Sequence, residues 1–112
     1  MSGYIYLLRA TGTNRYKIGR SKNPKSRSKR INYQSPVPVV LLDEFKCNNP
    51  VEAEKTIHRD CGRMRKHGEW FEFESEERAR SLFNFHRITE TGRDEPRMIV
   101  SEIGHYSQPS DV

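Results

Sequence analysis

Two short runs of apolar residues open the chain and flank a turn-forming linker. They cover residues 3–9 and 15–20, and Gly12 and Asn14 lie between them. Alternating positions rich in aromatic and β-branched residues are typical of strands, and a short linker with glycine or asparagine favours a hairpin. The pattern therefore predicts two antiparallel strands at the start of the domain.

Two asparagine–proline pairs, at residues 23–24 and 49–50, mark the predicted starts of helices. Asparagine caps a helix N-terminus well, and proline is favoured at the first helical position. We expect the first helix to cover residues 24–33 and to lie on the surface, because nearly all of its residues are polar. Only Ile31 and Tyr33, near its end, are expected to pack against the core.

The second helix is predicted to run from residue 50 through the basic stretch 63–67 and to stop at Gly68. Glu54 and His58 are four residues apart and lie along the border of its apolar stripe, so both should be half-buried. The stripe itself comprises Ala53, Ile57, Cys61 and Met64.

The remaining apolar segments predict two more strands and a third helix. Residues 39–45 favour a strand that is buried on both faces, and residues 69–73 alternate as a fourth strand with Trp70 as its main anchor. Ser75 is a candidate N-cap for a helix that extends to about residue 86. The inward positions of this helix are predicted to be Ala79, Leu82 and Phe83.

These elements predict the fold class α+β, an α/β sandwich. It should contain a small, mainly antiparallel sheet of three to four strands flanked by two to three helices. We assign residues 1–88 to this domain and residues 89–112 to a partly mobile C-terminal tail, because turn-forming residues dominate there. Within the tail, residues 98–100 could add an edge strand or dock onto a partner.

The charge of the chain is distributed unevenly along its length. The formal net charge is +5, but residues 1–42 hold nine Lys or Arg and no acidic residue, whereas residues 43–112 hold 11 basic and 15 acidic residues. Eight of the nine early cations fall within residues 15–30. A concentrated basic segment favours phosphate binding over an ordinary solvated face, which is the alternative.

The cysteines and the longest apolar run indicate an intracellular protein. Cys47 and Cys61 are 14 residues apart, and no secretory signal pattern precedes them. The longest apolar run, residues 37–42, is interrupted by Pro38 and is too short to cross a membrane. We therefore expect reduced thiols, a cytoplasmic location and no membrane partner.

Four separated motifs then resemble one known family. Tyr4-Ile5-Tyr6 and Lys17-Ile18-Gly19 form two half-motifs, Arg27 follows in the first helix, and Glu69-Trp70-Phe71 lies in the last predicted strand. In their joint spacing they resemble the GIY-YIG nuclease superfamily. They look closest to the phage and bacterial subgroup with KIG as second half-motif and a closing GEWF. The likeness covers roughly residues 3–74 and implies a bacterial cell or a phage-infected host.

The resemblance implies a metal-dependent endonuclease that hydrolyses DNA phosphodiester bonds. Tyr6 matches the first motif tyrosine and would contact the attacking water, and Arg27 matches the arginine that binds the phosphate. Lys17 occupies the place of the second tyrosine and is expected on the same sheet face as Tyr6. Glu54 is the candidate ligand for Mg²⁺ or Mn²⁺, with Glu52 and Glu69 as rivals. His58 could orient Glu54, move a proton or fill a polar niche.

The expected partner is DNA, with single-stranded and branched forms among the candidates. Cations close to the motifs would contact backbone phosphates, which positions a strand without reading its sequence. If about five phosphates are neutralised, binding should weaken with salt with a log–log slope of −4 to −5. The candidate phosphate-binding residues are Arg15, Arg20, Lys22, Lys25, Lys29 and Arg30.

Two departures from the family pattern keep other functions open. Lysine replaces the second tyrosine at position 17, and Ile31 stands where the family usually has a histidine or tyrosine. The alternative function is thus a catalytically weak or inactive nucleic-acid-binding module on the same fold. A third is an adaptor whose basic face binds an acidic protein.

A zinc site is a less favoured use of the cysteines and histidines. Cys47, His58, Cys61 and His67 are ligand types for zinc, but structural sites usually contain two close ligand pairs, and Cys47 has no near neighbour. The sequence also lacks a GxxxxGK[ST] phosphate loop, an HExxH motif and a GxSxG motif.

Overall fold

The computed structural model describes residues 2–92 of the chain and contains a five-stranded antiparallel sheet with three helices. The predicted α+β class is therefore confirmed. In chain order the elements are β1 (Gly3–Ala10), β2 (Arg15–Ser21), α1 (Pro24–Gln34), β3 (Val39–Cys47), α2 (Pro50–Asp60), a short 3-10 helix (Gly62–Met64), β4 (Arg65–His67), β5 (Trp70–Glu72) and α3 (Glu76–Thr91).

The sheet has the strand order β3-β1-β2-β5-β4, so the predicted hairpin lies in its middle. In this hairpin Tyr6 pairs with Gly19 and Leu8 pairs with Lys17. Directly paired residues share a face, which confirms that Tyr6 and Lys17 point to the same side. Because β5 pairs with β2 only over residues 15–17, the last part of β2 has an open edge.

The sheet is covered on both faces, which makes a three-layer sandwich. The larger cluster lies between the sheet and helices α2 and α3, and the smaller cluster lies under α1. The larger one includes Ile5, Leu7, Tyr16, Ile18, Phe45, Ile57, Phe71 and Phe83, and the smaller one includes Tyr6, Leu8, Val39 and Leu41, with Ile31 and Trp70 packed against it.

All three predicted helix caps form. The side chain of Asn23 accepts a hydrogen bond from the backbone N–H of Ser26 at 3.1 Å. Asn49 caps α2 in the same way at 3.3 Å, and the hydroxyl of Ser75 caps α3 at 3.2 Å. Such caps satisfy backbone donors that have no partner within the helix.

The predicted end of the second helix is wrong. Helix α2 stops at Asp60, and the basic stretch then forms the short strand β4. Pairing with β5 draws this stretch into the sheet, where Arg65 lies opposite Phe71. Gly68, with a φ of 59°, lies between β4 and β5 rather than ending a helix. The sheet therefore has one strand more than the sequence indicated.

The third helix is longer than predicted, since it continues to Thr91 and ends at Gly92, which has a φ of 75°. The hydroxyls of Thr89 and Thr91 bond to carbonyls one turn earlier, so both threonines are accommodated in the helix. The proposed strand at residues 98–100 lies outside the described residues. The boundary at residue 88 between domain and tail stays a prediction.

Two aromatic side chains lie differently from expectation. Tyr33 was expected to pack, but it is 90% exposed on α1. Trp70 is only partly buried, and its neighbour Phe71 is the residue of β5 that is fully buried. Period-two alternation fixes which residues share a face, but it does not say which face receives the thicker cover.

Strand β3 is buried along most of its length and carries a carboxylate inside the larger cluster. Asp43 is buried and accepts a charge-assisted hydrogen bond from Arg87 of α3. The Arg87 guanidinium also lies 5.9 Å from the ring centroid of Phe45 and 5.8 Å from that of Phe83. This buried ion pair joins α3 to the sheet, and nothing in the local sequence pattern predicted it.

Candidate active site

The candidate site begins at the hairpin, where the Tyr6 phenol lies across Gly19 of the neighbouring strand. A methyl group added to Gly19 would lie 2.5 Å from the Tyr6 Oη and 2.8 Å from its Cζ. Both distances are below van der Waals contact, so only glycine leaves room for the phenol. The glycine of the second half-motif is thus needed for steric space, since its φ is not positive.

The hydroxyl of Tyr6 is buried and has no hydrogen-bond partner of normal geometry in the described part of the chain. Burial raises the pKa of Tyr6 above its usual value. The Arg27 guanidinium opposes this rise in pKa through its charge and as a hydrogen-bond donor, and the carboxylates of Glu69 and Glu54 add to the rise. Charges from α1, α2 and the β4–β5 turn therefore all act on one phenol.

Lys17 lies beside this phenol and is held by a carboxylate. Its Nζ donates to Glu69 Oε1 at 2.9 Å, and only 17% of the lysine side chain is exposed. The same Glu69 oxygen would lie 3.1 Å from a methyl group on Gly19, so the Lys17–Glu69 pair borders the position of the Tyr6 hydroxyl. Glu69 was considered only as a rival metal ligand, because its contact with Lys17 spans 52 residues and no sequence spacing reports it.

Glu54 belongs to α2, which packs beside the part of β2 that is not paired with β5. Its Oε1 accepts from the Nε of Arg20 at 3.1 Å, and 13% of the glutamate side chain is exposed. Glu54 is half-buried, as expected, and so is His58. The pair with Arg20 leaves the second carboxylate oxygen of Glu54 for another ligand.

His58 reaches the open edge of the sheet directly. Its Nε2 lies 2.7 Å from the carbonyl oxygen of Ile18, and its ring packs 5.2 Å from that of Phe71, centroid to centroid. A carbonyl only accepts, so Nε2 carries the proton of this bond. The contact favours the polar-niche role among those considered for His58, and it leaves Nδ1 for other interactions.

Arg27 lies one turn into α1 on the Tyr6 side of the sheet. Helix α1 begins at Pro24 after the Asn23 cap, and this start fixes which residues face the sheet. Arg27 is half-buried, and among the described residues its side chain makes no ion pair with a carboxylate. A guanidinium held near a buried phenol without an acidic partner can bind two oxygens of an anion at once.

The cations predicted to bind phosphate fall into two groups. Arg15 and Arg20 are tied to Glu72 at 3.7 Å and Glu54 at 3.1 Å, respectively. The others are exposed, and in the described part of the chain they make no ion pair. These are Lys22, Lys25, Lys29 and Arg30, all on or just before α1. With Arg27 they form the basic ridge of the domain.

A model of one family, the T5orf172 domain, matches residues 3–87. The chain belongs to the T5orf172 family. This membership indicates a nuclease-like or DNA-binding module of a kind found in phages and bacteria. No curated protein and no solved structure matches the chain. Within the described residues, no helix has the length and apolar character to cross a bilayer.

Metal binding in this T5orf172 domain would depend on few protein ligands. Among the described residues, no group of three or more His, Cys, Asp or Glu side chains lies close enough to hold an ion. Mg²⁺ commonly takes one or two carboxylates and keeps several waters or substrate phosphates, so Glu54 suits it as a single ligand. A single carboxylate such as Glu54 suits Mg²⁺ or Mn²⁺ better than it suits an ion that is bound by protein ligands alone.

The cysteines of the T5orf172 domain are buried in its core. Cys47 and Cys61 are both free and both belong to the larger apolar cluster. Burial, together with the nearby Asp60 carboxylate, raises the pKa of Cys61 to about 12. Neither cysteine belongs to a group of three or more potential metal ligands among the described residues, which disfavours the zinc alternative.

Proposed function

We propose that this T5orf172 domain is a metal-dependent endonuclease that hydrolyses DNA phosphodiester bonds with a site of GIY-YIG type. The observation that carries the proposal is the convergence on the Tyr6 hydroxyl of charges from Arg27, Glu69 and Glu54. The hydroxyl is buried and makes no hydrogen bond of normal geometry among the described residues, and a catalytic role is one physical explanation of such a group. Perturbed titratable groups in contact with several charges are likewise typical of functional sites.

Tyr6 acts in this proposal as a neutral phenol. Because burial raises its pKa above the usual value near 10, the tyrosinate form is scarce at physiological pH. A neutral hydroxyl can accept a hydrogen bond from the attacking water and donate one to a phosphate oxygen. Tyr6 would therefore orient the water rather than remove its proton as a tyrosinate.

Arg27 and Lys17 supply positive charge on the same side of the sheet. The Arg27 fork would bind two non-bridging oxygens of the phosphate as negative charge grows on them. Lys17 is held in place by Glu69, so its ammonium would meet the phosphate without first losing the freedom of a long side chain. This division of roles accounts for a lysine where the family has a tyrosine.

Glu54 is the residue that would hold Mg²⁺ or Mn²⁺. Such an ion supplies positive charge next to the phosphate and its leaving oxygen. Arg20 fixes the Glu54 carboxylate through one oxygen, which orients the other. The neutral His58 ring keeps its one proton on Nε2, which donates to the Ile18 carbonyl, so His58 would donate a proton to the leaving group through Nδ1 only as the imidazolium.

Nicking of supercoiled plasmid with Mg²⁺ or Mn²⁺ tests this function. We expect cleavage by the wild type, none with EDTA, and losses of about 10²–10³-fold for Arg27→Ala and Glu54→Gln. Tyr6→Phe should lose activity to a similar extent. Tyr16→Phe is its matched control, because Tyr16 also has a buried hydroxyl but lies in the larger cluster away from the site. Equal nicking by the wild type and all site variants would mean a contaminating nuclease and would refute the proposal.

A binding module without catalysis is the second candidate, and two observations favour it. Ile31, at the position of the missing histidine or tyrosine, packs against the smaller apolar cluster. Lys17, at the position of the second tyrosine, is already paired with Glu69. This alternative predicts DNA binding that weakens with salt and no cleavage with either metal ion at any pH tested.

A further inference from the structure

A groove lies next to the candidate site on the α1 side of the sheet. It has a volume of about 930 Å³, which is within the range of pockets that hold a small organic ligand. One wall comes from the end of α1 and the connector to β3, and the opposite wall comes from β2 and β5. The lining includes Ile31, Gln34, Val37, Arg15, Lys17 and Trp70.

Trp70 gives this groove its aromatic surface. The sequence suggested that Trp70 anchors its strand, but Phe71 fills that role in the larger cluster and leaves Trp70 half-buried in the groove. The Nζ of Lys17 lies 5.8 Å from the centroid of the Trp70 ring. The lysine that borders the Tyr6 hydroxyl thus also contacts the aromatic residue of the groove.

The charge around the groove suits a phosphodiester strand. Arg15 and Lys17 line it in ion pairs with Glu72 at 3.7 Å and Glu69 at 2.9 Å, so the unpaired positive charge near the groove comes from the basic ridge. Helix α1 ends at the groove with Gln34 and carries the basic ridge in its first two turns, with no cation in its last turn. An aromatic, partly apolar groove beside a basic helix is the combination that single-stranded nucleic acid requires, since each base has a stacking face and each link a charge.

We propose that this groove binds an unpaired nucleotide of DNA, with its base against Trp70, next to the phosphate held at the Tyr6 site. The inference rests on the proposed function, because it defines the substrate of that site as DNA with a single-stranded portion. Paired bases are stacked on their neighbours and would have to leave the duplex to enter the groove. A tail, flap or gap supplies unpaired bases without that cost.

The test compares three DNA molecules in EDTA, so that all of them stay intact. One is a blunt duplex, the second is the same duplex with an unpaired thymidine tail, and the third has an abasic tail of equal length. Trp70 is the chain's one tryptophan, so its intrinsic fluorescence reports on the groove directly. Affinity is measured separately, by anisotropy of a dye on the duplex.

The thymidine tail should quench Trp70 and bind about ten-fold more tightly than the abasic tail, because stacking on an aromatic side chain is the difference between them. Trp70→Leu should remove that ten-fold advantage. Gln34→Glu provides a second variant that leaves the core unchanged, since Gln34 is exposed at the groove. It should weaken tail binding several-fold, whereas Ser81→Glu, an equal charge change on the exposed surface of α3, should not.

Equal affinity for thymidine and abasic tails, or no quenching on binding, would overturn the groove proposal. If the protein still bound the blunt duplex in this test and still cleaved plasmid in the nicking assay, the proposed function would remain intact. Failure of the protein to bind any of the three DNA molecules at low salt would overturn both proposals together.

Discussion

Gly19→Ala is the substitution that tests the geometry of the site most directly. The added methyl would lie 2.5 Å from Tyr6 Oη, 2.8 Å from Tyr6 Cζ and 3.1 Å from Glu69 Oε1. Gly19 is buried and pairs with Tyr6 across the hairpin, and the Tyr6 ring is itself buried, so the phenol cannot move away freely. The effect should be steric, because the φ of Gly19 is not positive.

Overpacking of this kind costs about 1–3 kcal/mol. In a domain of this size 1 kcal/mol corresponds to about 4–8 °C in Tm, so we expect a decrease of about 5–20 °C. Gly62→Ala is the matched control, because a methyl group there meets no atom within 4 Å and its φ is not positive either. Its Tm should stay unchanged or rise slightly, since alanine restricts the unfolded chain.

The double variant Gly19→Ala/Tyr6→Phe separates this clash from a general loss of packing. Removing the Tyr6 hydroxyl relieves the 2.5 Å contact but not the 2.8 Å one, so partial recovery is expected. The coupling free energy between the two sites should be about 0.5–3 kcal/mol, measured by urea unfolding of all four proteins. The reasoning fails if Gly19→Ala melts with Gly62→Ala, or if the two substitutions are additive.

Three further predictions concern other parts of the domain. Tyr16→Phe should leave the free energy of unfolding unchanged or raise it by about 1 kcal/mol in calorimetry, because it removes a buried hydroxyl that has no hydrogen-bond partner in the described region; a large loss of stability would contradict this. The log–log salt slope of DNA binding should be near −4.5 for five phosphates, and Lys25→Ala/Lys29→Ala should make it shallower by about 1.8, as measured by anisotropy; an unchanged slope would exclude these lysines from the interface. Burial lowers the pKa of His86, so the stability it contributes is complete above pH ~6.5 and is lost as the pH falls through its folded-state pKa. Acidification should therefore reduce the Tm of the wild type more than that of His86→Gln, and equal reductions would contradict this.

The parts of the fold that the sequence predicted well depend on neighbouring residues. The Asn23 and Asn49 caps act within one helical turn, and alternation about a short linker predicted the hairpin. The shared face of Tyr6 and Lys17 was implied by the family resemblance, because spacing alone does not fix a register. Strand β4 was missed because its pairing with β5 provides its structure, and its basic residues have no strand pattern of their own. Helix α3 was predicted too short. The hydroxyls of Thr89 and Thr91 bond to carbonyls one turn earlier, so both residues remain in the helix.

The candidate site likewise contains residues that local spacing predicted and contacts that only the tertiary structure provides. Tyr6, Lys17 and Arg27 were found because motif spacing along the hairpin and first helix is local. The contact of Glu69 with Lys17 and the groove position of Trp70 depend on how the β4–β5 turn lies against β2, which no spacing reveals. Their only sequence signal was the GEWF match, which identified the residues without giving their contacts.

The buried Asp43–Arg87 pair sets the shortest chain that can behave as an independent folding unit. A fragment that ends before residue 87 keeps every residue of the candidate site, but it leaves the Asp43 carboxylate buried without its ion-pair partner. An orphaned buried charge of this kind typically costs 3–5 kcal/mol, a large share of the stability of a small domain. Deletions made to isolate the nuclease-like region should consequently retain Arg87 and the helical cap at Gly92.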